Sequence, residues 1–195
     1  MMMKFIHILS ILIPFFPFCS CIDINPIPYQ ENDTLIYAAF VPEILIYADH
    51  PFQLDIDRDK NDDLCFEFRK WNESLEGIVY PAWSSKVIPL NNLLFSWGAQ
   101  GSSFIYYIEY GNEISRNKFP FEFREITLAG ERFGKRQGVW NLDEKAEGFI
   151  AFCREADEGR YYGWLHLSLN DSSILLKEFG FSKKVDRAIR AGEIP

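Results

Sequence analysis

The sequence predicts an all-β protein, an antiparallel two-sheet β-sandwich of the jelly-roll kind, and three observations lead there. Aromatic residues make up 16% of the 195 residues, with 18 Phe, 9 Tyr and 5 Trp, and such side chains favour the pleated, half-buried surface of a strand. From Leu35 onward short alternating or apolar runs recur, each of strand length and each bounded by Pro, Gly, Asn, Asp or Ser. Helical periodicity is confined to one short segment near residue 185. Strands of this kind bury their faces by stacking two sheets or by closing one sheet into a barrel. The sandwich is the primary expectation and the barrel its competitor.

In chain order, residues 1–20 stand apart from the domain. "MMMKFIHILSILIPFFPFCSC" carries Lys4 and then an apolar stretch from Phe5 to Phe18, broken by Pro14 and Pro17. It is too short and too interrupted to cross a membrane as a helix and reads as a secretory signal. Its end, "FCSC", sets Ser20 directly before Cys21 and a bulky apolar residue three positions before that cysteine. This resembles a bacterial lipoprotein processing site, with Phe18 where such sites usually have Leu. The resemblance implies that Cys21 becomes a lipidated first residue anchored in the cell envelope; ordinary signal cleavage and secretion is the alternative. Residues 21–34, with two X-Pro pairs and several turn formers, read as a tether, and residues 35–195 as one domain.

Within that domain ten runs qualify as strands: "LIYAAFV", "ILIYA", "FQLDI", "LCFEFRKW", "GIVY", "SFIYYIEY", "FREITLA", "GFIAFCRE", "YYGWLHLSL" and "SILLKEFGF". In "SFIYYIEY" the period of two places Phe104, Tyr106, Ile108 and Tyr110 on one face. In "YYGWLHLSL" it sets Leu165, Leu167 and Leu169 against Trp164, His166 and Ser168, and "NDSS" at 170–173 has the residues to fold this strand back on the next. "SKKVDRAIRAG", 182–192, is the one helical candidate, with an irregular closing segment as its alternative.

The densest chemistry lies in "LDIDRDKNDDLCFEF", residues 54–68. Asp55, Asp57, Asp59, Asn61 and Asp63 occupy positions 1, 3, 5, 7 and 9 of an oxygen-ligand loop, the alternation with which such loops hold Ca2+. Two positions depart from that pattern. Lys60 stands at position 6, where the sharp turn favours Gly, and Phe66 stands at position 12, where a bidentate Glu is usual. A weak or structural calcium site is therefore the expectation. Two other readings remain open: a solvated turn neutralised by Arg58 and Lys60, or an extended strand showing Asp55, Asp57 and Asp59 on one face at ~6.6–6.8 Å steps, as sandwich-fold glycosidases display their acids.

Those residues, followed by "GFIAF", "YYGWLHLSL" and "KEFGFSKKVDRAIRAGE", resemble a diffuse group of poorly characterised exported bacterial proteins. The group shows a "D-x-D-x-D-G-x-x-D-F" loop, a Gly-Phe strand, a "YYGW" strand and a closing Ile-x-Ala-Gly. The similarity spans roughly residues 52–68 and 147–193. It implies a secreted or lipid-anchored β-sandwich and brings no activity with it.

Other chemistry is sparse. His50 and His166 follow no zinc or triad pattern, and Glu109, Glu122 and Glu125 lack the shared offset of a catalytic carboxylate pair. Cys65 and Cys153 form a candidate disulfide in an oxidising compartment, or two small buried hydrophobes. Trp71, Trp83 and Trp97 are candidates for stacking a glycan or docking a protein ligand; filling the core is the alternative. The net charge of −8 speaks against nucleic acid, whose binding depends on Lys and Arg. The expected function is a binding or structural module of the cell envelope, with a carbohydrate-active enzyme as the competing class.

Overall fold

The computed structural model describes residues 30–96, 106–138, 140 and 146–195. Its first strands are β1 (Gln30–Glu31), β2 (Leu35–Tyr47), β3 (Phe52–Leu54), β4 (Leu64–Leu75), β5 (Ile78–Pro89) and β6 (Leu93–Ser96). Then come β7 (Glu113–Ile114), β8 (Phe121–Glu122), β9 (Ile126–Arg132) and β10 (Lys135–Gly138). The last are β11 (Glu147–Ala156), β12 (Gly159–Leu169), β13 (Ser173–Ser182) and β14 (Ile189–Arg190). They form a seven-stranded sheet in the order β1-β2-β13-β12-β11-β6-β8, a five-stranded sheet in the order β10-β9-β5-β4-β3, and the small pair β14-β7. Neighbouring strands are antiparallel throughout. The predicted sandwich-like all-β fold is what the chain adopts.

Alternation explains the main core. Phe66, Phe68, Trp83, Val87 and Leu128 of the five-stranded sheet meet Phe40, Ile46, Phe152, Leu165, Leu167 and Phe179 of the seven-stranded sheet. Burying a side chain of this size is worth roughly 1.5–3 kcal/mol. A second core lies on the other side of the seven-stranded sheet, where Ile108, Ile114, Ile189 and Ala191 cover Phe121, Phe149, Ala151, Cys153, Tyr162 and Trp164. The seven-stranded sheet is therefore buried on both faces, which is why Trp164 is as inaccessible as Leu165.

Two glycines make this double packing feasible. Gly163 pairs with Phe152 and Gly180 with Trp164. A Cβ at Gly163 would meet the Phe152 ring at 2.1 Å, and one at Gly180 the Trp164 indole at 2.5 Å. Each ring occupies the space that its neighbour's missing side chain leaves.

The "NDSS" hairpin joins β12 to β13 as predicted: Asn170 Oδ1 accepts from Ser172 N–H at 2.8 Å and from Ser173 Oγ at 3.1 Å. The β4–β5 hairpin turns through Glu76 and Gly77 with φ of 53° and 80°, the left-handed pair of a two-residue turn whose twist matches its strands.

Several expectations are corrected. The segment 182–192 is no helix; after β13 it bends into β14, because Ile189 and Ala191 are needed in the second core. In "SFIYYIEY" the described residues form no strand beyond a single bridge between Ile108 and Phe149. Ile108 is buried while Tyr110 is 77% exposed, so the expected shared face does not exist and this stretch lies across the sheet as a cover. "LIYAAFV" and "ILIYA" are one strand, β2. The tether gives way to the sheet before residue 34, since Gln30 and Glu31 pair with Tyr37 and Ile36.

Cys65 and Cys153 are free thiols. Their chain neighbours Phe66 and Phe152 point into the main core, so the two cysteines face away from it on opposite sheets, Cys153 into the second core. Burial pushes the Cys153 thiol up to about 12. The expected signal at 1–20, Cys21 and Trp97 lie outside the described residues.

Candidate functional site

Residues 55–63 connect β3 to β4 as a loop, which disposes of the extended-strand alternative. Ile56, 1% exposed, pins the loop to the core. Asp63 closes its neck: its N–H donates to Leu54 O at 2.8 Å, and its Oδ2 accepts from Ile56 N–H at 2.8 Å. Asp55 organises the turn, accepting from Arg58 N–H at 2.6 Å and from Lys60 N–H at 2.8 Å. Both donors sit in left-handed backbone, with φ of 65° at Arg58 and 73° at Lys60. Lys60 thus adopts the geometry for which Gly is the easier residue, at a cost of about 1–2 kcal/mol.

Of the four aspartates expected as ligands the loop gathers three. Asp55, Asp57 and Asp63 each bring a carboxylate oxygen within 4.8 Å of the others, a set that could hold a metal ion. Asp59 is not part of that set; its Oδ1 instead accepts from Asn61 N–H at 2.8 Å, which holds its carboxyl below the usual range. The positive charge at this focus comes from a residue that the sequence reading did not single out. Arg154 of β11 donates one guanidinium nitrogen to Asp57 and another to Asp63. Burial works against its charge, yet the bonds and charges of the two aspartates outweigh that and raise its pKa further. Burial also pushes the Asp63 carboxyl up, against the Ile56 N–H and Arg154. Nothing local marks Arg154 in the sequence, since it lies 91 residues from Asp63.

A second feature is a groove of about 1040 Å³ along the outer face of the five-stranded sheet. Alternation puts Glu67, Arg69, Trp71 and Glu73 of β4 on this face, beside Lys86 of β5 and Arg132 of β9. Trp71 is 37% exposed, and its Nε1 donates to Glu73 Oε1 at 3.0 Å. Arg132 binds the same oxygen at 2.8 Å. Trp71 is thus part-exposed on the groove rather than in the core. Trp83 is not: it is 6% exposed and stacks on Phe68 at 5.7 Å within the main core.

A third polar centre was missed. His166 Nδ1 lies 2.9 Å from Glu178 Oε1 and its Nε2 3.0 Å from Glu147 Oε1, while its ring stacks on Phe149 at 4.4 Å. Tyr37 donates to Glu178 at 2.5 Å, and Lys177 pairs with Glu147 at 2.7 Å. Burial and the Glu178 carboxylate raise the Tyr37 phenol; Lys177 draws Glu147 below its ordinary value, and His166 with Tyr37 draws Glu178 down. The cause is a one-residue bulge of β13 against β12, where consecutive His166 and Leu167 pair with Glu178 and Leu176. Leu176 and Phe179 both enter the main core, so Lys177 and Glu178 both face outward, as a bulge allows. The break in alternation at "LLKEF" was the available signal.

Comparison of the chain with protein-family models, with curated proteins and with solved structures found no match.

Proposed function

We propose that this chain is an exported protein of the bacterial cell envelope, lipid-anchored through Cys21, that binds glycans along the outer face of its five-stranded sheet. The groove around Trp71 carries this reading. A half-exposed indole offers a flat apolar surface to the C–H face of a sugar ring, and the flanking Glu67, Arg69, Lys86 and Arg132 supply fixed acceptors and donors for hydroxyls. Binding is favoured over the competing hydrolase reading by the carboxylate spacing. Glu67 and Glu73, six residues apart on β4, lie about 20 Å from each other along an extended strand, whereas glycosidases hold their pair about 5–9.5 Å apart.

Calcium has a subordinate place. Asp55, Asp57 and Asp63 would hold it, and it would compete with Arg154 for the same oxygens, so an affinity of about 10⁻⁴–10⁻³ M is expected, as in extracellular modules. A glycan array followed by titration calorimetry tests the main reading: Trp71→Ala should weaken binding about tenfold or more without lowering the melting temperature. An empty array, or a hit that Trp71→Ala leaves unchanged, removes it. Radiolabelled palmitate should enter the wild-type chain and not Cys21→Ala.

A further inference from the structure

β4 is an inner strand only over its first residues. β3 pairs with it at Leu64, Cys65 and Phe66, and beyond that point no strand among the described residues lies on that side, although β5 accompanies β4 to its tip. The turn at Glu76 and Gly77 makes Leu75 and Ile78 a hydrogen-bonded pair. Arg69, Trp71, Glu73 and Leu75 therefore direct their N–H and C=O groups to β5, and Lys70, Asn72 and Ser74 direct theirs away from it. An exposed row of this kind is a template for another strand.

We propose that the occupant is β4 of a second copy of this chain, paired antiparallel about a two-fold axis at Trp71. The backbone admits only registers that set outward-directed residues against each other, and charge selects among these. An axis at Lys70 would oppose Lys70 to Lys70. An axis at Asn72 would leave Arg69 against Leu75 and Trp71 against Glu73. The axis at Trp71 sets Arg69 against Glu73 of the second copy, twice, and Trp71 against Trp71. Lys70 and Asn72 of the two copies then exchange backbone hydrogen bonds.

Glu73 suits this role, since its Oε2 has no hydrogen-bond partner among the described residues while Oε1 serves Trp71 and Arg132. The pair between Arg69 and Glu67 at 2.7 Å is exposed on the Arg69 side, and breaking such a pair costs little. Dimerisation joins the two five-stranded sheets into one and brings the second copy's Trp71 into the groove. It extends the proposed glycan surface without depending on it.

Sedimentation velocity of the full-length chain in detergent, with no glycan present, tests the proposal. The wild type should dimerise with a Kd of about 1–10 µM. Lys70→Pro removes a donor that faces away from β5 and is tolerated at an edge, so it should give a monomer with an unchanged circular dichroism spectrum and melting temperature. Arg69→Glu and Glu73→Arg should each weaken self-association about tenfold, because like charges then face each other at two places. An equimolar mixture of these two variants should recover the wild-type affinity, since the mixed pair again sets opposite charges together. A wild type that stays monomeric at ~100 µM, far above that Kd, overturns the proposal. So does a dimer that survives Lys70→Pro, or a mixture no tighter than its components. Glycan titration of monomeric Lys70→Pro separates this outcome from the fate of the glycan reading.

Discussion

Arg154 of β11 holds Asp63 of the β3–β4 loop, and through the same guanidinium Asp57, so that one side chain joins the acidic loop to the opposite sheet. It neutralises two of the five aspartates, Asp55, Asp57, Asp59, Asp62 and Asp63, that crowd residues 55–63. Asp63 is 1% exposed, and a buried carboxylate without a counter-charge is costly. Backbone N–H groups satisfy the other oxygen of Asp63 and both oxygens of Asp55.

Arg154→Met strips Asp57 and Asp63 of their shared partner. Unfolding in urea should show a loss of about 3 kcal/mol, the usual consequence of removing one member of a buried pair. Millimolar calcium should restore part of that loss in the variant and do less for the wild type, where Arg154 occupies the same oxygens. A midpoint equal to wild type would dispose of the clamp.

Lys60→Gly tests the turn. Gly accepts a φ of 73° without the Cβ penalty of about 1–2 kcal/mol, partly offset by its looser unfolded chain. Melting temperature should hold or rise slightly, and calorimetry should find tighter calcium binding, because a positive charge leaves the loop. Weaker binding would mean that Lys60 supports the site.

The acid limb of stability should depend on Glu147 and Glu178. Both hold folded pKa values below the ordinary 4.5, so their contribution is complete above about pH 4.5 and disappears as the pH falls through the lowered values. Asp63 has the opposite sign. Its folded value exceeds the ordinary 3.8, so its contribution shrinks as the pH rises from 3.8 through the raised value. The double variant Glu147→Gln, Glu178→Gln should therefore lose less stability than wild type between pH 5 and 3 in thermal melts. Equal slopes would show that these carboxyls do not govern the limb.

Gly180→Ala should be severe for steric reasons. The added Cβ meets Trp164 at 2.5 Å inside a packed layer, and overpacking of this kind costs about 1–3 kcal/mol. Gly77→Ala at the β4–β5 tip meets nothing within 4 Å; it pays for its φ of 80° with roughly 1–2 kcal/mol. The two should also differ in near-ultraviolet circular dichroism, where only Gly180→Ala changes the Trp164 signal.

The strands were legible where alternation was uninterrupted. Leu165, Leu167 and Leu169 face one core as their spacing requires, and "NDSS" turns where its side chains can cap the bend. Asp55, Asp57 and Asp63 could be chosen because they are neighbours in sequence. Arg154 could not, because its partnership depends on how two sheets stack. Trp83 and Trp71 carry the same residue type and differ only by which side of the pleat each occupies. In "SFIYYIEY" alternation misled, since a covering segment has no ladder to enforce its period. The polar group around His166 exists because one extra residue in β13 turns Lys177 outward beside Glu178, and a strict period of two hides it.

The pairing of β2 with β13 sets Leu35 beside Ser182, partners drawn from nearly opposite ends of the domain. Contacts so remote along the chain must wait for loop closure, and they make folding slow. During synthesis β2 waits uncompleted until the last strands arrive. That interval, with the edge of β2 still unpaired, is when the chain is most open to aggregation.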